Sequence, residues 1–191
     1  MKKILTLMCV AAAMLITVNS NAQSQWGFGG GYISGSFTGK DNPDLNSFPG
    51  FYLGIDRNWA FSSMDGLSLD PGVNFIYMSK DKERLPAFQI PINLKYTVEL
   101  SSDFTLSAFT GPVFNLGMTS NGYSKDDLIK GGRLKKWNAQ WDLGAEITYS
   151  HSIAIRIGYN FGMTKAFHFD GEDPKIRFNG FQVGLVFRVM E

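Results

Sequence analysis

The sequence predicts an all-β protein, an eight-stranded antiparallel up-and-down transmembrane β-barrel preceded by a cleaved signal peptide. Three observations support this prediction. The N-terminus has the charge and hydropathy profile of an export signal, the remaining chain alternates between polar and apolar residues, and its connectors alternate between short and long. The composition agrees, because 21 glycines, 14% aromatic residues and only 18% charged residues favour β-structure with tight turns.

The first 22 residues form the predicted signal peptide. Two lysines provide a charged start, residues 4–18 are apolar, and small residues precede the cleavage point. A retained membrane anchor is the alternative, but the apolar run is short for a spanning helix, which needs about 20 residues. We therefore expect cleavage between Ala22 and Gln23, which leaves one barrel domain, residues 23–191.

The mature chain is nearly neutral and contains no cysteine. The full sequence has 18 Lys and Arg against 17 Asp and Glu, and its single cysteine, Cys9, lies in the signal peptide. Nucleic-acid binding requires a strongly basic field, so we expect no nucleic-acid partner. An exported protein without disulfides needs another source of stability.

Eight segments of the mature chain alternate with a period of two, as β-strands with two different faces do. In residues 153–164, for example, apolar residues occupy the odd positions and small or polar residues the even ones. A mean spacing of about 21 residues suits membrane strands of about 9–11 residues with connecting loops. The predicted strands are, in chain order, 25–37, 50–61, 66–78, 88–99, 104–118, 139–149, 153–164 and 181–189.

The connectors between these segments alternate in length. Outer-membrane barrels have short periplasmic turns and longer extracellular loops, so this alternation assigns an end of the barrel to each connector and places both termini in the periplasm. The predicted periplasmic turns are 62–65, 101–103 and 150–152, and the predicted outer loops are 38–49, 79–86, 119–136 and 165–175.

A soluble β-sandwich is the alternative fold, because its strands also alternate. Two features favour the barrel: the second face is rich in glycine with isolated charges, as a narrow lumen would be, and aromatic residues cluster at the ends of the apolar faces. The expected periplasmic-rim aromatics are Trp26, Trp59 and Phe104, and those of the outer rim are Tyr32, Phe51, Tyr77 and Trp137.

Three prolines conflict with regular strands. Pro71, Pro91 and Pro112 lie within predicted strands. A closed barrel has no edge strand on which a proline could lack its N–H without the loss of a ladder hydrogen bond. We expect β-bulges or locally lost hydrogen bonds at these positions.

Several charged residues fall on the inward face and predict a salt-bridged lumen. Buried charges must be paired, and eight strands enclose an interior that side chains can fill, so a plug is favoured over a conducting pore. The glycines Gly27, Gly29, Gly31 and Gly35 would leave room for long side chains from the opposite wall. The inward charges are Asp56, Asp70, Glu99, Asp142, Glu146, Lys95, Arg156 and Arg188.

The turn at residues 150–152 fixes part of this arrangement. A three-residue turn places Tyr149 opposite Ile153, and counting back along both strands places Glu146 opposite Arg156 and Asp142 opposite Asn160. The resulting prediction is a lumen ion network of Asp70, Lys95, Asp142, Glu146 and Arg156.

The sequence shows no pattern of catalytic, cofactor-binding or metal-ligating residues. His151 falls in a predicted turn, His168 falls in a predicted outer loop, and no His pair or Asp-rich calcium loop is present. The glycine run at residues 27–31 precedes no predicted helix, which excludes a phosphate-binding loop. We expect no enzymatic activity, no cofactor and no metal.

Four short motifs resemble the outer-membrane β-barrel domain common in Bacteroidetes, often labelled a porin-family protein, and more distantly the OmpX and OmpA barrels. The last strand is similar to the β-signal that the barrel assembly machinery recognises, although it ends without an aromatic residue. The resemblance implies location in the outer membrane and assembly by that machinery. The motifs are residues 89–96, 109–112, 141–144 and 157–162, and the proposed assembly signal is Gln182, Gly184, Phe187 and Val189.

These observations predict a non-enzymatic outer-membrane barrel that serves envelope structure or surface interaction through four extracellular loops. We expect a monomer that contacts outer-membrane lipid and lipopolysaccharide, with a further surface ligand as a possibility left open by the charged loops 79–86 and 119–136. A small passive channel is the main alternative, and a lipid-modifying enzyme is a third.

Overall fold

The computed structural model describes residues 24–39, 47–80, 83–117, 132–169 and 175–190. The predicted cleavage site between Ala22 and Gln23 lies outside these residues, as do parts of all four predicted outer loops. Among the residues described, no helix is long and apolar enough to cross a membrane.

Eight of ten strands close into an antiparallel barrel, which confirms the predicted fold. Around the barrel the order is β1, β10, β8, β7, β5, β4, β3 and β2, and each strand pairs with its predicted neighbours. The pairing of β1 with β10 leaves no edge strand in the barrel. The strands are β1 Ser24–Thr38, β2 Phe48–Ala60, β3 Leu67–Lys80, β4 Glu83–Glu99, β5 Phe104–Gly117, β6 Gly132–Leu134, β7 Trp137–Tyr149, β8 Ile153–Gly162, β9 Phe167–Phe169 and β10 Arg177–Met190.

Each barrel strand has one apolar face directed outward and one face directed into the lumen. In β8, Ile153, Ile155 and Ile157 are exposed, whereas Ala154 and Asn160 on the other face are buried. The outward band is suited to lipid because hydrocarbon solvates apolar side chains and offers no partner to polar ones. Rim aromatics extend the band, as where the rings of Phe51 and Tyr77 lie 5.6 Å apart.

The predicted outer loop at 79–86 is wrong, because β3 and β4 continue through most of it. Ser79 pairs with Arg84, and Lys80 pairs with Glu83. Charged residues discourage strands inside a membrane but not above it, so the ladder extends beyond the lipid.

Two other outer connectors pair with each other. The short strands β6 and β9 form a separate two-stranded sheet in which Arg133 lies opposite His168. Segments predicted as independent loops are thus joined at their described ends.

The three strand prolines cost hydrogen bonds but introduce no bulge. Along each interface the register is the same on both sides of the proline. The pairs that would join the proline to the facing strand are absent, namely Arg57–Pro71, Gly72–Pro91 and Ile92–Pro112. A proline has no N–H, so each removes one ladder bond and leaves the strand count intact. The three losses lie side by side across β2, β3, β4 and β5.

Replacing Pro112 by valine should restore one of these bonds. The new N–H faces the carbonyl of Ile92, and an unsatisfied carbonyl in hydrocarbon costs several kcal/mol, whereas losing a proline costs about 0.4–1 kcal/mol through the unfolded chain. Pro112→Val should therefore raise the free energy of unfolding measured by urea titration in lipid vesicles.

Pro86→Val is the matched control. Pro86 lies beyond the last described pair between β4 and β5, which joins Ala87 to Gly117, so its replacement gains no ladder bond to a described residue of β5. This variant should be slightly destabilised. Equal changes in the free energy of unfolding of the two variants would show that the missing hydrogen bond at Pro112 does not affect stability.

Candidate functional site in the barrel lumen

Charged side chains from six strands meet in the half of the lumen nearest the short turns. Asp56 from β2, Asp70 from β3 and Glu146 from β7 supply the carboxylates of this ion cluster. The cations come from β4, β8 and β10, and they are Lys95, Arg156 and Arg188.

Glu146 is the centre of the ion cluster. Its Oε1 lies 2.7 Å from Lys95 Nζ and 2.8 Å from Arg188 Nη2, and its Oε2 lies 2.7 Å from Arg156 Nε. The Glu146 side chain is 0% exposed. Three cations sharing one carboxylate compensate for the water that the carboxylate has lost.

The two aspartates complete the charge balance. Asp70 Oδ2 lies 2.9 Å from Arg156 Nη2 and 3.9 Å from Lys95 Nζ. Asp56 Oδ1 lies 3.1 Å from Arg188 Nη1, and Asp56 Oδ2 lies 3.5 Å from Arg156 Nη1. Three acids and three bases are thus mutually paired, which is the condition for burying charges without a large desolvation penalty.

The local register brings the central pair together. Tyr149 lies opposite Ile153 across the turn at 150–152, and the same register places Glu146 opposite Arg156. Directly opposed residues lie on the same face of the sheet, so both side chains enter the lumen. Ser150 and His151 both adopt positive φ, 49° and 55°, which reverses the chain within three residues.

Glycines on the lumen wall provide the space for these side chains. A Cβ on Gly27 would lie 2.6 Å from Asp56 Oδ1, and one on Gly144 would overlap the Phe109 ring, over which Arg156 is placed at 5.3 Å. At Gly27 the side chain that fills the space comes from the adjoining strand β2, and at Gly35 Phe178 comes from the adjoining strand β10 and Met78 from β3, not from the opposite wall as we predicted. In a narrow barrel, side chains lean along the sheet toward diagonal neighbours.

Asp142 lies outside the ion cluster, although the sequence placed it in the lumen network. It is 1% exposed and lies opposite Asn160, and its Oδ2 accepts a hydrogen bond of 3.1 Å from Asn93 Nδ2. No described cation lies within 4.0 Å of its carboxylate. Four residues separate Asp142 from Glu146, about 13 Å along a strand, which is beyond the reach of one arginine group.

Asp142 belongs to a layer of buried and half-buried amides above the ion cluster. Asn74 Nδ2 donates to Gln89 Oε1 at 3.1 Å, and Gln140 Nε2 donates to the Phe178 carbonyl at 2.7 Å. This amide layer comprises Asn74, Gln89, Asn93, Asn115, Gln140, Asp142, Asn160 and Gln182.

The outer half of the lumen is apolar, which the sequence analysis missed. Phe37 stacks against Phe178 with ring centroids 4.9 Å apart and against Phe48 at 5.7 Å. Near the outer ends of β3 and β4, apolar residues occupy both faces, and this is the signal that was available. The apolar cluster comprises Ile33, Phe37, Phe48, Tyr52, Ile76, Met78, Leu85, Ala87, Ala166, Ile176 and Phe178.

A polar cavity of about 600 Å³ lies at the opposite end of the lumen. Its lining includes Ser107, Thr148, Glu99 and His151, and it reaches Lys95, Glu146 and Arg188 of the ion cluster. The lumen therefore has a cavity on the side of the short turns, and from the ion cluster outward the described inward side chains are largely buried.

The described residues offer no group of three His, Cys, Asp or Glu side chains that could hold a metal ion. His151 lies in the turn after β7, and His168 lies in β9. The structure therefore places the two histidines at opposite ends of the barrel, with His151 beside the cavity.

The predicted assembly signal lies in β10, on both faces of that strand. Phe187 and Val189 are each 53% exposed on the outer face, and Gln182 is buried in the lumen. Gly184 lies against β1, where a Cβ would overlap the backbone of Gly30 and the hydroxyl of Tyr52. These residues therefore also form the seam that closes the barrel.

Comparison with known proteins gives a family match over nearly the whole chain. Residues 8–188 match the outer membrane protein beta-barrel domain. No curated protein matches the sequence.

Solved structures share the fold at low sequence identity. The neisserial surface protein A is 11% identical with a TM-score of 0.52, covering 85% of this chain and 96% of its own. The outer membrane enzyme PagL is 9% identical with a TM-score of 0.54, covering 85% and 98%. Ail, the attachment invasion locus protein of Yersinia pestis, is 11% identical with a TM-score of 0.49, covering 87% and 99%.

A double-mutant cycle on Glu146→Gln and Arg156→Met should show strong coupling. Glu146→Gln removes the partner of three cations, while Arg156→Met leaves Glu146 with Lys95 and Arg188. The first variant should therefore be the less stable, by about 3–5 kcal/mol relative to wild type, and the coupling should be about 0.5–3 kcal/mol.

The measurement is urea unfolding in detergent micelles. Glu99→Gln serves as a control, because Glu99 is an exposed carboxylate without a described ion pair, and its effect should be near zero. Strictly additive effects of the two lumen substitutions would contradict the assigned pair.

Proposed function

This chain belongs to the outer membrane protein beta-barrel domain family, and from that premise we propose that it is a non-conducting, non-enzymatic barrel that acts through its outer surface. It is an integral protein of the outer membrane, and its barrel is closed by eight antiparallel strands. In that membrane it supports envelope structure or surface interaction and does not move solutes.

The filled lumen is the observation that carries this proposal. The ion cluster, the amide layer and the apolar cluster follow one another along the barrel axis, and their side chains are almost fully buried. Eight strands enclose an interior that side chains can fill completely. A solute would have to displace paired charges and then pass an apolar segment.

A small passive channel is the competing function. The polar cavity at the inner end favours it, because water reaches the ion cluster from that side. The apolar cluster opposes it, since an ion that enters a narrow apolar segment loses its hydration without compensation.

Planar bilayers containing the wild-type protein should show no steady single-channel current. A combined Arg188→Ala, Gln140→Ala and Phe178→Ala variant shortens one side chain in each of the three layers and should conduct. Each single variant should remain closed, because two layers still block the lumen. Steady wild-type current under the same conditions would contradict the proposal in favour of a channel.

A lipid-modifying activity is not carried over from the solved structures. The likeness to the enzyme PagL rests on 9% identity and therefore concerns the fold alone. We propose a non-enzymatic role because the described site consists of paired charges and amides within the lumen, away from the lipid-facing surface.

The described part of the outer rim is cationic, which supports contact with lipopolysaccharide. Lys136, Lys175 and Arg177 are exposed at the ends of β7 and β10 that face outward. Phosphate groups of lipopolysaccharide are anions at the same height, and guanidinium and ammonium groups bind phosphate by charge-assisted hydrogen bonds. We propose that these residues anchor the barrel laterally in the outer leaflet as a monomer.

The combined variant Lys136→Gln, Lys175→Gln and Arg177→Gln should bind lipopolysaccharide more weakly. Three exposed ion pairs account for about 1–3 kcal/mol, or roughly a 5- to 150-fold loss of affinity. The variant should also lose most of the salt dependence of binding. Binding is measured by titrating detergent-purified protein with lipopolysaccharide at two salt concentrations.

A combined Asp65→Asn, Glu99→Gln and Asp103→Asn variant is the control, because it changes the same number of charges at the periplasmic end. Its affinity should equal that of the wild type. An unchanged affinity in the rim variant would remove the anchoring proposal and leave the closed-lumen proposal standing.

A further inference from the structure

The polar cavity at the periplasmic end of the lumen has the size of a small-molecule site. Its volume of about 600 Å³ lies within the range of about 300–1,000 Å³ that is usual for such sites. Asp65, Glu99 and His151 line the cavity and are exposed, so molecules in the periplasm reach it from the short turns. Contact at the outer surface of the barrel does not use this cavity.

A wall of hydroxyl groups forms one side of the cavity. Thr105 lies opposite Thr148 in the ladder of β5 and β7. Ser107 lies opposite Thr97 in the ladder of β4 and β5, and their hydroxyl oxygens are 2.8 Å apart. The hydroxyl wall therefore consists of Thr97, Thr105, Ser107 and Thr148, all of which line the cavity.

Thr105 is the member of the hydroxyl wall that points to a ligand. It is 8% exposed, yet its hydroxyl makes no hydrogen bond to another described residue. Buried hydroxyl groups are normally hydrogen-bonded, so this one requires a partner inside the cavity. Thr148, directly opposite, has only a long contact of 3.5 Å to Glu146 Oε1 and is available to the same partner.

The turn between β2 and β3 adds an apolar side to the cavity. Phe61 and Met64 line it there and are 42% and 57% exposed. A molecule that fills the cavity therefore meets hydroxyl groups on one side and an aromatic ring on another. The electron-rich face of such a ring attracts the weakly positive hydrogens of C–H groups.

The charges around the cavity favour a neutral ligand. Its described lining contains two Lys or Arg residues, Lys95 and Arg188, and they lie 2.7 and 2.8 Å from Glu146, so both are already paired. Asp65 and Glu99 add negative charge, which disfavours a phosphate or a carboxylate. Both acids are exposed, so an ammonium group would gain little from them and would leave the hydroxyl wall unused.

We propose that this cavity binds a neutral saccharide, a mono- or disaccharide unit, from the periplasmic side. Each sugar hydroxyl both donates and accepts hydrogen bonds, as each group of the hydroxyl wall does, so the two sets can pair in either sense. The carboxylate of Glu99 accepts from a further sugar hydroxyl, and the C–H groups of the sugar ring pack against Phe61. The ion cluster is the floor of this site and stops the saccharide there, so binding is compatible with a closed lumen.

Two periplasmic sources carry this chemistry, namely soluble sugars and the ends of cell-wall glycan chains. Maltose represents the first source. N,N′-diacetylchitobiose represents the second, because its rings are N-acetylated. Saturable binding of either disaccharide supports the proposal, and the tighter of the two identifies the source.

The test is an NMR titration of isotope-labelled wild-type protein in phosphatidylcholine nanodiscs. Detergents with sugar headgroups are avoided because they would compete for the site. The amide signals of Thr97, Thr105 and Thr148 should shift in a saturable way, while the signal of Arg177 at the outer rim stays unchanged. No saturable shift with either disaccharide would overturn the proposal, and so would a response to spermidine or inorganic phosphate without one to a disaccharide.

A combined Thr105→Val and Thr148→Val variant locates the site. Valine keeps the shape of threonine and removes the hydroxyl, so the loss of two hydrogen bonds should weaken disaccharide binding by about 5- to 150-fold. Thr38→Val is the matched control, because it removes an exposed hydroxyl at the other end of the barrel and should leave the affinity unchanged. Equal affinities of the wild type and the combined variant would contradict the assigned site. The wild-type titration remains decisive if the combined variant fails to fold.

Discussion

The structure depends on charge compensation inside a narrow, enclosed lumen. Glu146 holds three cations with one carboxylate, and the two aspartates beside it share the same arginines. Each ion is buried, so none can obtain its compensation from water, and each must obtain it from another strand. Most of the ion pairs therefore connect strands that are not neighbours in the sheet, across the interior that the backbone ladder leaves unlinked.

The three lumen layers divide two tasks between them. The ion cluster and the amide layer impose one arrangement, because each partner must be met by a specific atom, whereas the apolar cluster fills volume without such demands. The apolar layer lies beneath the outer connectors, and it includes Ala166 and Ile176 from the connector between β8 and β10. The interior thus supports the surface that faces away from the cell, which is the surface available for contact.

The sequence was sufficient to predict the faces of the strands but not the height of each side chain in the barrel. Alternation and the short turn at 150–152 placed Glu146 opposite Arg156, because a turn of known length fixes which residues of the two strands are paired and which face they share. Asp142 has the same parity and was grouped with them, although it lies one level higher. Which residues meet across the lumen depends on the stagger of all eight strands, which no local pattern records.

Two other differences have the same origin. The charged residues at 79–86 were interpreted as a loop, whereas the strands continue through most of this segment. The sequence pattern does not show where the membrane ends along a strand, so a charged strand segment outside the lipid looks like a loop. The apolar filling of the outer lumen was missed because inward apolar residues, such as Ile76 and Met78, look like the outward ones. The prolines, in contrast, were recognised as a conflict, and the structure resolves that conflict by giving up hydrogen bonds and keeping the register.

The ion cluster also has a consequence for the order of folding. Arg188 lies in the last strand, and its partner Asp56 lies 132 positions earlier in the sequence, so their contact exists only after the two ends of the sheet have met. Until then Asp56 and Glu146 lack a main counterion, and a partly closed sheet holds uncompensated charge in a narrowing interior. We therefore expect closure and neutralisation to occur together, and intermediates that lack the final strand to be unfavourable. Contacts of such large sequence separation are slow to form, so we expect closure of the barrel to be slow.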